Sequence, residues 1–306
     1  MGVLDLIGRT PLVELKRFAP REGVRIFAKL ESQNPSGSVK DRVALCLVER
    51  AEARGDIGPG AHLVEASSGN TGIALAMIAR QRGYELTVVV PEAVPPPIRD
   101  LLVLLGAEVV WAEPRVGMRG AIELAQQLAD DKGWYLCGQF TSPCNPAVHY
   151  RTTGAEIAEA LPSVAAFVAG IGTGGTLMGV GRRLRELNPD VKLVGVEPHM
   201  GERLQGLRCL EEAWQAPLVD LDMLDARYLV GAADALNLAA EVAAREGLVV
   251  GVSSGATLRA ALRFSERIDQ GDIVCMFGDG GWKYLPTHPW KAARERDPEL
   301  DEIHWW

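Results

Sequence analysis

Asn34-Pro35-Ser36-Gly37-Ser38-Val39-Lys40-Asp41-Arg42 lies between two runs of different periodicity. Before it, residues 24–30 place Val24, Ile26, Ala28 and Leu30 on one face and Arg25 and Lys29 on the other, the pattern of a half-exposed strand. After it, residues 39–54 carry apolar positions at helical spacing and stop at Arg54-Gly55, a glycine placed to end a helix. The stretch is a strand-to-helix turn, with its lysine in the first turn of the helix. Unpaired N–H groups and partial positive charge collect at a helix N-terminus, so an ammonium gains nothing there. A lysine whose charged form is disfavoured can act as an amine nucleophile toward a carbonyl. A plain solvated side chain is the competing reading.

The same strand–loop–helix unit recurs along the chain. Apolar runs predict strands at residues 11–15, 24–30, 63–66, 86–90, 109–112, 135–137, 166–169, 193–196, 228–230 and 273–276. Helical periodicity predicts helices at 39–54, 71–82, 97–105, 118–131, 148–161, 176–187, 233–245 and 256–266. The run Leu86-Thr87-Val88-Val89-Val90 suits a parallel sheet covered on both faces. An α/β chain with this many strands exceeds one open sheet, so two are expected. The turn-rich Ser142-Pro143-Cys144-Asn145-Pro146 is the best internal boundary. The segment after residue 284 reads as irregular, with Trp305 and Trp306 at its end expected to pack onto something.

With 306 residues, 47% hydrophobic and a net charge of −8, the chain has the composition of an ordinary globular protein and not of one built for nucleic acid or an anionic membrane surface. No apolar run reaches membrane-span length, and Met1-Gly2-Val3-Leu4-Asp5-Leu6 has no basic segment of a signal peptide. Five scattered cysteines (Cys46, Cys137, Cys144, Cys209, Cys275) suit free, mostly buried thiols in a reducing cytosol. Cys137, Cys144 and His149 fit no zinc spacing, and no metal is expected.

In open α/β sheets ligands sit beyond the carboxyl ends of the strands. The loop Ser67-Ser68-Gly69-Asn70-Thr71-Gly72 offers hydroxyls, an amide and helix-start N–H groups, a cradle for a carboxylate or phosphate or else a helix cap. Gly170-Ile171-Gly172-Thr173-Gly174-Gly175-Thr176 carries four glycines and two threonines before a helix, more than a plain turn calls for, and reads as a phosphate cup. It also matches G-x-G-x-x-G, with Glu197 ending the next strand, so a nicotinamide dehydrogenase is a rival reading. Against that rival, half the chain precedes the motif, and Lys40 and residues 67–72 are left without a role. Gly251-Val252-Ser253-Ser254-Gly255-Ala256 reads as a cap, and Asp279 in Gly278-Asp279-Gly280-Gly281 as a turn residue. Arg203 and Arg208 follow Glu197-Pro198, where they are either surface charge or readers of a substrate anion.

Together these segments resemble the pyridoxal-phosphate enzymes of the β family, fold type II, and specifically cysteine synthases of the B or O-phosphoserine type. Gly8-Arg9-Thr10-Pro11-Leu12-Val13 is similar to the family's opening motif, residues 34–42 to its lysine motif, 67–72 to its T-S-G-N-T-G loop with Ser67 in place of Thr, and 172–176 to its phosphate cup. Further likeness lies in His149-Tyr150-Arg151-Thr152-Thr153-Gly154, Gly206-Leu207-Arg208 and the segment 279–285. The resemblance implies two open, twisted, mostly parallel sheets flanked by helices, with the active site in the cleft between a smaller mobile domain (38–143) and a larger one (1–37 plus 144–306).

It further implies that Lys40 carries the cofactor as an imine, that Gly172, Thr173, Gly174, Gly175 and Thr176 hold its phosphate, and that Asn70 meets its ring oxygen. Ser67, Ser68, Thr71 and Gln139 would take the substrate carboxylate, and Arg208 the phosphate of O-phospho-L-serine, with O-acetyl-L-serine as the competing substrate. Sulfide, thiosulfate or a carrier-protein thiocarboxylate would be the sulfur donor of a cytoplasmic homodimer. Cystathionine synthesis and serine or threonine dehydration are the alternatives with the same cofactor, and a non-catalytic relative is a further one. Two departures stand out. Val94-Pro95-Pro96-Pro97-Ile98-Arg99 replaces a segment that usually carries a hydroxyl and a carboxylate, although prolines can still start a helix. Asp279 stands where many relatives place Ser against the pyridine nitrogen; a carboxylate reaching that nitrogen would favour a protonated ring.

Overall fold

The computed structural model describes residues 1–91, 95–113, 117–210 and 216–287. Ten strands among them form two sheets. β1 (Leu12–Glu14), β2 (Val24–Leu30), β7 (Val164–Gly170), β8 (Lys192–Pro198), β9 (Ala226–Val230) and β10 (Gly271–Phe277) lie in the order β1-β2-β10-β7-β8-β9. β1 is antiparallel to β2, and every other pairing in this sheet is parallel. β3 (His62–Ala66), β4 (Glu85–Val90), β5 (Glu108–Trp111) and β6 (Tyr135–Leu136) form an all-parallel sheet in the order β5-β4-β3-β6.

Parallel strands need crossover helices, and these cover both faces of each sheet. In the smaller sheet, Val88 faces a core shared with α1 (Lys40–Arg54) and α2 (Asn70–Arg82), while its neighbour Val89 faces α4 (Gly117–Lys132). α3 (Pro96–Leu104) joins the first of these cores through Ile98 and Leu102. In the larger sheet, Ile273, Cys275 and Phe277 of β10 point to α8 (Ala232–Glu246) and α9 (Val252–Ser265), while Val274 and Met276 point to α6 (Thr153–Ala160) and α7 (Gly175–Leu187). The period of two places consecutive apolar residues in different cores, so buried strands read as continuous apolar runs. Gly55, Gly83 and Gly247 end α1, α2 and α8 in the left-handed region, at φ of 71°, 76° and 72°. Among the described residues no helix is long and apolar enough to cross a membrane.

Four expectations need correction. β2 is not half-exposed. Arg25 faces out and pairs with Asp272, but Lys29 is 1% exposed, because β2 is flanked by β1 and β10 and Lys29 is sealed against Glu156. The expected helix over 148–161 is two helices, α5 (Cys144–Arg151) and α6, broken at Thr152, whose hydroxyl donates to the Val148 carbonyl at 2.7 Å. α9 starts at Val252, so the Ser253-Ser254-Gly255 segment lies inside a helix. Ser254 is fully buried, and a Cβ at Gly255 would collide with the Ala235 carbonyl of α8.

The cysteines are not all free: Cys46 on α1 and Cys144 at the start of α5 form a disulfide across a Cα separation of 6.2 Å. Packing of those two helices brings the thiols together, and only Cys137, Cys209 and Cys275 remain free, each buried. The Trp305–Trp306 tail and Val94 lie outside the described residues. Pro95 and Pro96 start α3 as their fixed φ allows.

Candidate active site

The lysine motif divides its tasks among three consecutive residues. The Val39 amide donates to the Gly278 carbonyl at 2.8 Å and Ser38 forms a bridge with Asp279, so the turn before α1 is stitched to the end of β10. Asp41 points back into the turn, accepting the Ser36 amide at 2.7 Å and the Ser36 hydroxyl. Burial raises its pKa to about 6 against those bonds. Arg42 points the other way, to Glu31 at 2.7 Å, which also accepts the Thr10 hydroxyl, and to Glu156 at 2.6 Å, which also accepts Lys29. Desolvation lowers the pKa of Arg42, but its two carboxylate partners outweigh it and raise it overall. Asp41 thus shapes the turn and Arg42 pins α1 to the larger sheet. Gly37, at φ 85°, lets the turn pass under the Trp282 ring, 2.9 Å from where a Cβ would stand.

Lys40 itself stays out of these pairs. Its half-buried amine has a pKa lowered to about 8 by burial; attraction from Asp279 opposes the shift and repulsion from Arg208 adds to it. Its charge also reaches His149, whose pKa is pushed well below 6.5 by burial and then by Lys40 and Arg42. The neutral His149 ring lies 3.0 Å from the Thr153 hydroxyl and 3.2 Å from that of Thr176.

The loop 67–72 joins β3 to α2. Ser67 Oγ accepts the Gly69 amide at 3.2 Å and the Gly72 amide at 3.0 Å, acting as a cap. Thr71 donates to Gln139 Oε1 at 2.6 Å, and Gln139 Nε2 donates to the Ala66 carbonyl at 2.8 Å. Ser68 is partly exposed and takes no part in those bonds. Beneath them Glu65 accepts the Ala66 amide at 3.0 Å and the Gln139 amide at 3.1 Å, and burial raises its pKa to about 7 against these bonds.

The glycine-rich loop ends β7 and opens α7, whose first-turn amides have no intrahelical acceptor. Its glycines also answer to packing. A Cβ at Gly172 would collide with the Gly206 carbonyl, one at Gly174 (φ 86°) would meet Val219, and one at Gly175 would strike Asn145. Asn145 Nδ2 donates to Thr173 Oγ1 at 2.9 Å and to the Gln139 carbonyl at 2.8 Å, linking this loop to the previous one. The excess of glycine therefore reflects close backbone approach as well as room for an anion. Glu197, the acid of the dinucleotide reading, is fully buried, ion-paired with Arg227 at 2.9 Å and accepting the Leu210 amide at 2.6 Å. It is not available to a ribose.

Asp279 is 3% exposed and closes the site from the end of β10, where its Oδ2 accepts Asn70 Nδ2 at 2.8 Å and the Tyr284 hydroxyl at 2.5 Å. Arg208 stands over the Phe140 ring at 5.0 Å, and its amide donates to the Ile171 carbonyl at 2.7 Å. Gln205, in the same connection, places Nε2 3.0 Å from where a Cβ of Gly69 would stand. Lys40, Asn70, Thr176, Arg208 and Asp279 thus converge between the two sheets, though they come from five separate segments. Ser67, Thr71 and Gln139 stand at the edge of this space, with hydroxyl and amide groups engaged in holding the loop. Sequence reading gave no role to Glu31, Asn145, Glu156 or Lys283. Each has at least one partner well separated in the chain, which no local pattern marks.

An amine of lowered pKa near a carboxylate, beside an anion-receptive helix start, is the donor set of a site for a phosphorylated carbonyl compound. The family model of the pyridoxal-phosphate dependent enzymes matches residues 3–279. Cysteine synthase B of Escherichia coli (strain K12) is 40% identical over 282 residues, covering 92% of this chain and 93% of that protein. Two solved structures superpose over nearly the whole chain. O-ureido-L-serine synthase has a TM-score of 0.90 at 37% identity over 94% of each chain. A hydrogen sulfide-producing enzyme from Fusobacterium nucleatum has a TM-score of 0.89 at 35% identity, over 93% of this chain and 99% of that one. With its two-sheet fold and its match to the family model over residues 3–279, the chain belongs to the pyridoxal-phosphate dependent enzymes of fold type II.

Proposed function

We propose that this enzyme makes L-cysteine by β-replacement: the Cβ–O bond of an activated L-serine breaks, and a Cβ–S bond forms to a sulfur nucleophile. The observation that carries this reading is the convergence on Lys40 of the loops 67–72 and 172–176 with Asp279 and Arg208. Bound pyridoxal phosphate supplies an electron sink for negative charge at the substrate Cα.

The residues present fit that group. Lys40 Nζ, with a pKa of about 8, would engage its carbonyl carbon. The amides of 172–175 and the hydroxyls of Thr173 and Thr176 hold its phosphate at the start of α7, and neutral His149 orients Thr176. Asn70 Nδ2 would meet the ring oxygen and Asp279 the pyridine nitrogen. The substrate carboxylate lies against 67–72 and Gln139, with Ser68 offering its hydroxyl while Ser67, Thr71 and Gln139 hold the backbone in place. With cofactor and substrate bound, Lys40 Nζ would also serve as the base for the substrate Cα. It removes the Cα proton and later returns it.

Arg208 selects the leaving group. A guanidinium held over Phe140 suits a phosphate dianion better than an acetyl ester, which favours O-phospho-L-serine. Sulfide, thiosulfate or a carrier-protein thiocarboxylate is the donor, and the enzyme acts as a homodimer in which residues 38–143 close over the substrate. The likeness to O-ureido-L-serine synthase favours a second reading, in which the same activated serine accepts a nucleophile other than sulfur.

The test measures L-cysteine formed with sulfide from O-phospho-L-serine and from O-acetyl-L-serine, by wild type and Arg208→Ala. A loss of about tenfold or more confined to O-phospho-L-serine is expected. An equal loss with both substrates removes Arg208 from leaving-group selection. No cysteine from either substrate overturns the proposed reaction.

A further inference from the structure

Lys283 is a buried lysine for which the reaction has no evident use. It is 5% exposed, in the turn after Asp279. Its Nζ lies 2.5 Å from Asn70 Oδ1 and 3.5 Å from Asp279 Oδ2. Burying an ammonium is costly unless it is paired and hydrogen-bonded, and here both partners are residues that face the proposed cofactor ring. Asp41, the buried carboxylate of the lysine turn, also feels its charge.

An asparagine amide can turn over, exchanging its oxygen and nitrogen. An ammonium has three donors and no acceptor, so Lys283 accepts only one of the two orientations. With Oδ1 held by Lys283, Nδ2 must face the other way, and it donates to Asp279 at 2.8 Å. Nδ2 serves Asp279, and the Asn70 amide also bonds the Tyr284 hydroxyl, a contact whose place a ring oxygen would take. The same ammonium places positive charge beside the carboxylate proposed to meet the pyridine nitrogen. Charge drawn toward Lys283 makes Asp279 a weaker partner for a proton on that nitrogen.

We propose that Lys283 is a positioning residue that locks the Asn70 amide with its nitrogen toward the cofactor and moderates the grip of Asp279 on the ring nitrogen. The inference rests on the reading of Asn70 and Asp279 as ring contacts, and the two can be tested separately.

The experiment measures two quantities in the purified protein: the dissociation constant of pyridoxal phosphate for the cofactor-free chain, and the pH dependence of the visible band of the loaded enzyme. Wild type is compared with Lys283→Met, Asn70→Ala and the double variant. Loss of a charge-assisted contact to Asn70 corresponds to about tenfold weaker cofactor binding in Lys283→Met. In the Asn70→Ala background Lys283→Met should add less than about twofold to the loss of affinity, because that loss runs through Asn70, while the route through Asp279 is read in the pH midpoint. Lys283→Gln keeps a donor without the charge, so it should recover most of the affinity while leaving the pH midpoint of the band displaced. This variant also carries the comparison if Lys283→Met does not fold. Equal effects of the lysine change in both backgrounds overturn the positioning role, as does an unmoved pH midpoint in Lys283→Gln. If Asn70→Ala alone changes neither affinity nor spectrum, the ring-contact reading itself fails, and the inference with it.

Discussion

The lowered pKa of Lys40 predicts a reactivity that can be measured before any substrate is added. With a pKa of about 8, roughly one-tenth of the amine is unprotonated at pH 7, against about one part in three thousand for an ordinary lysine at 10.5. The cofactor-free chain should therefore capture pyridoxal phosphate at Lys40 about 300-fold faster than its nucleophilicity as a free lysine would allow. Capture is followed by its visible absorption, fixed with borohydride and located by peptide mapping, with Nα-acetyl-lysine as the reference amine. The rate relative to that reference should rise with falling pH and level off below about 8.

The same shift has a thermodynamic face. Between pH 8 and 10.5 the unfolded chain holds a proton that the folded chain has lost, so wild-type stability rises with pH across that window. Below 8 the folded chain carries the full penalty of a buried ammonium, about 3 kcal/mol for a shift of this size. Lys40→Met should accordingly unfold at higher urea than cofactor-free wild type at pH 7 and lose that advantage by pH 10.5. Equal stability at pH 7, together with a capture rate that keeps a constant ratio to the reference amine, would refute the reasoning.

The remaining predictions concern what holds the site in place. Arg42→Met leaves Glu31 buried without its cation and should cost about 3–5 kcal/mol in urea unfolding, most of it recovered in the double variant Arg42→Met/Glu31→Met; a cost below about 1 kcal/mol would exclude the anchoring role. Denatured without reductant, the chain should show three reactive thiols, rising to five on reduction of Cys46–Cys144. That bond closes a loop of sequence separation 98, and reducing it should lower stability by a few kcal/mol, about 4–5 in the chain-entropy account. Five thiols without reductant would refute the pairing.

The architecture was legible because parallel strands buried on both faces announce themselves as apolar runs. Each expected strand lies on an observed one, and the glycines after Arg54, Arg82 and Glu246 end helices as read. The failures share a cause. Lys29 was placed on an exposed face because alternation in β2 cannot reveal that Glu156, 127 residues away, covers it. The disulfide joins positions 98 apart, and the contact of Lys283 with Asn70 spans 213. No local pattern carries such pairings. Within the site, the sequence led to Lys40 and the two loops through motifs, yet it gave the glycines of 172–175 a single purpose. All three stand where Gly206, Val219 or Asn145 leaves no space for a side chain.

The order of strands also dictates when the enzyme can come into being during synthesis. β10 sits between β2 and β7, so the larger sheet has a gap at its middle until residues 271–277 have emerged from the ribosome. The four-stranded sheet is contiguous in the chain, from His62 to Leu136, and can assemble while translation is still under way. The turn that carries Lys40 must wait, because it leans on Gly278 and Asp279. The nascent chain thus holds its reactive lysine without a finished site until residues 271–279 have emerged, and a ribosome stalled before residue 271 would release a product with one complete sheet and no catalyst.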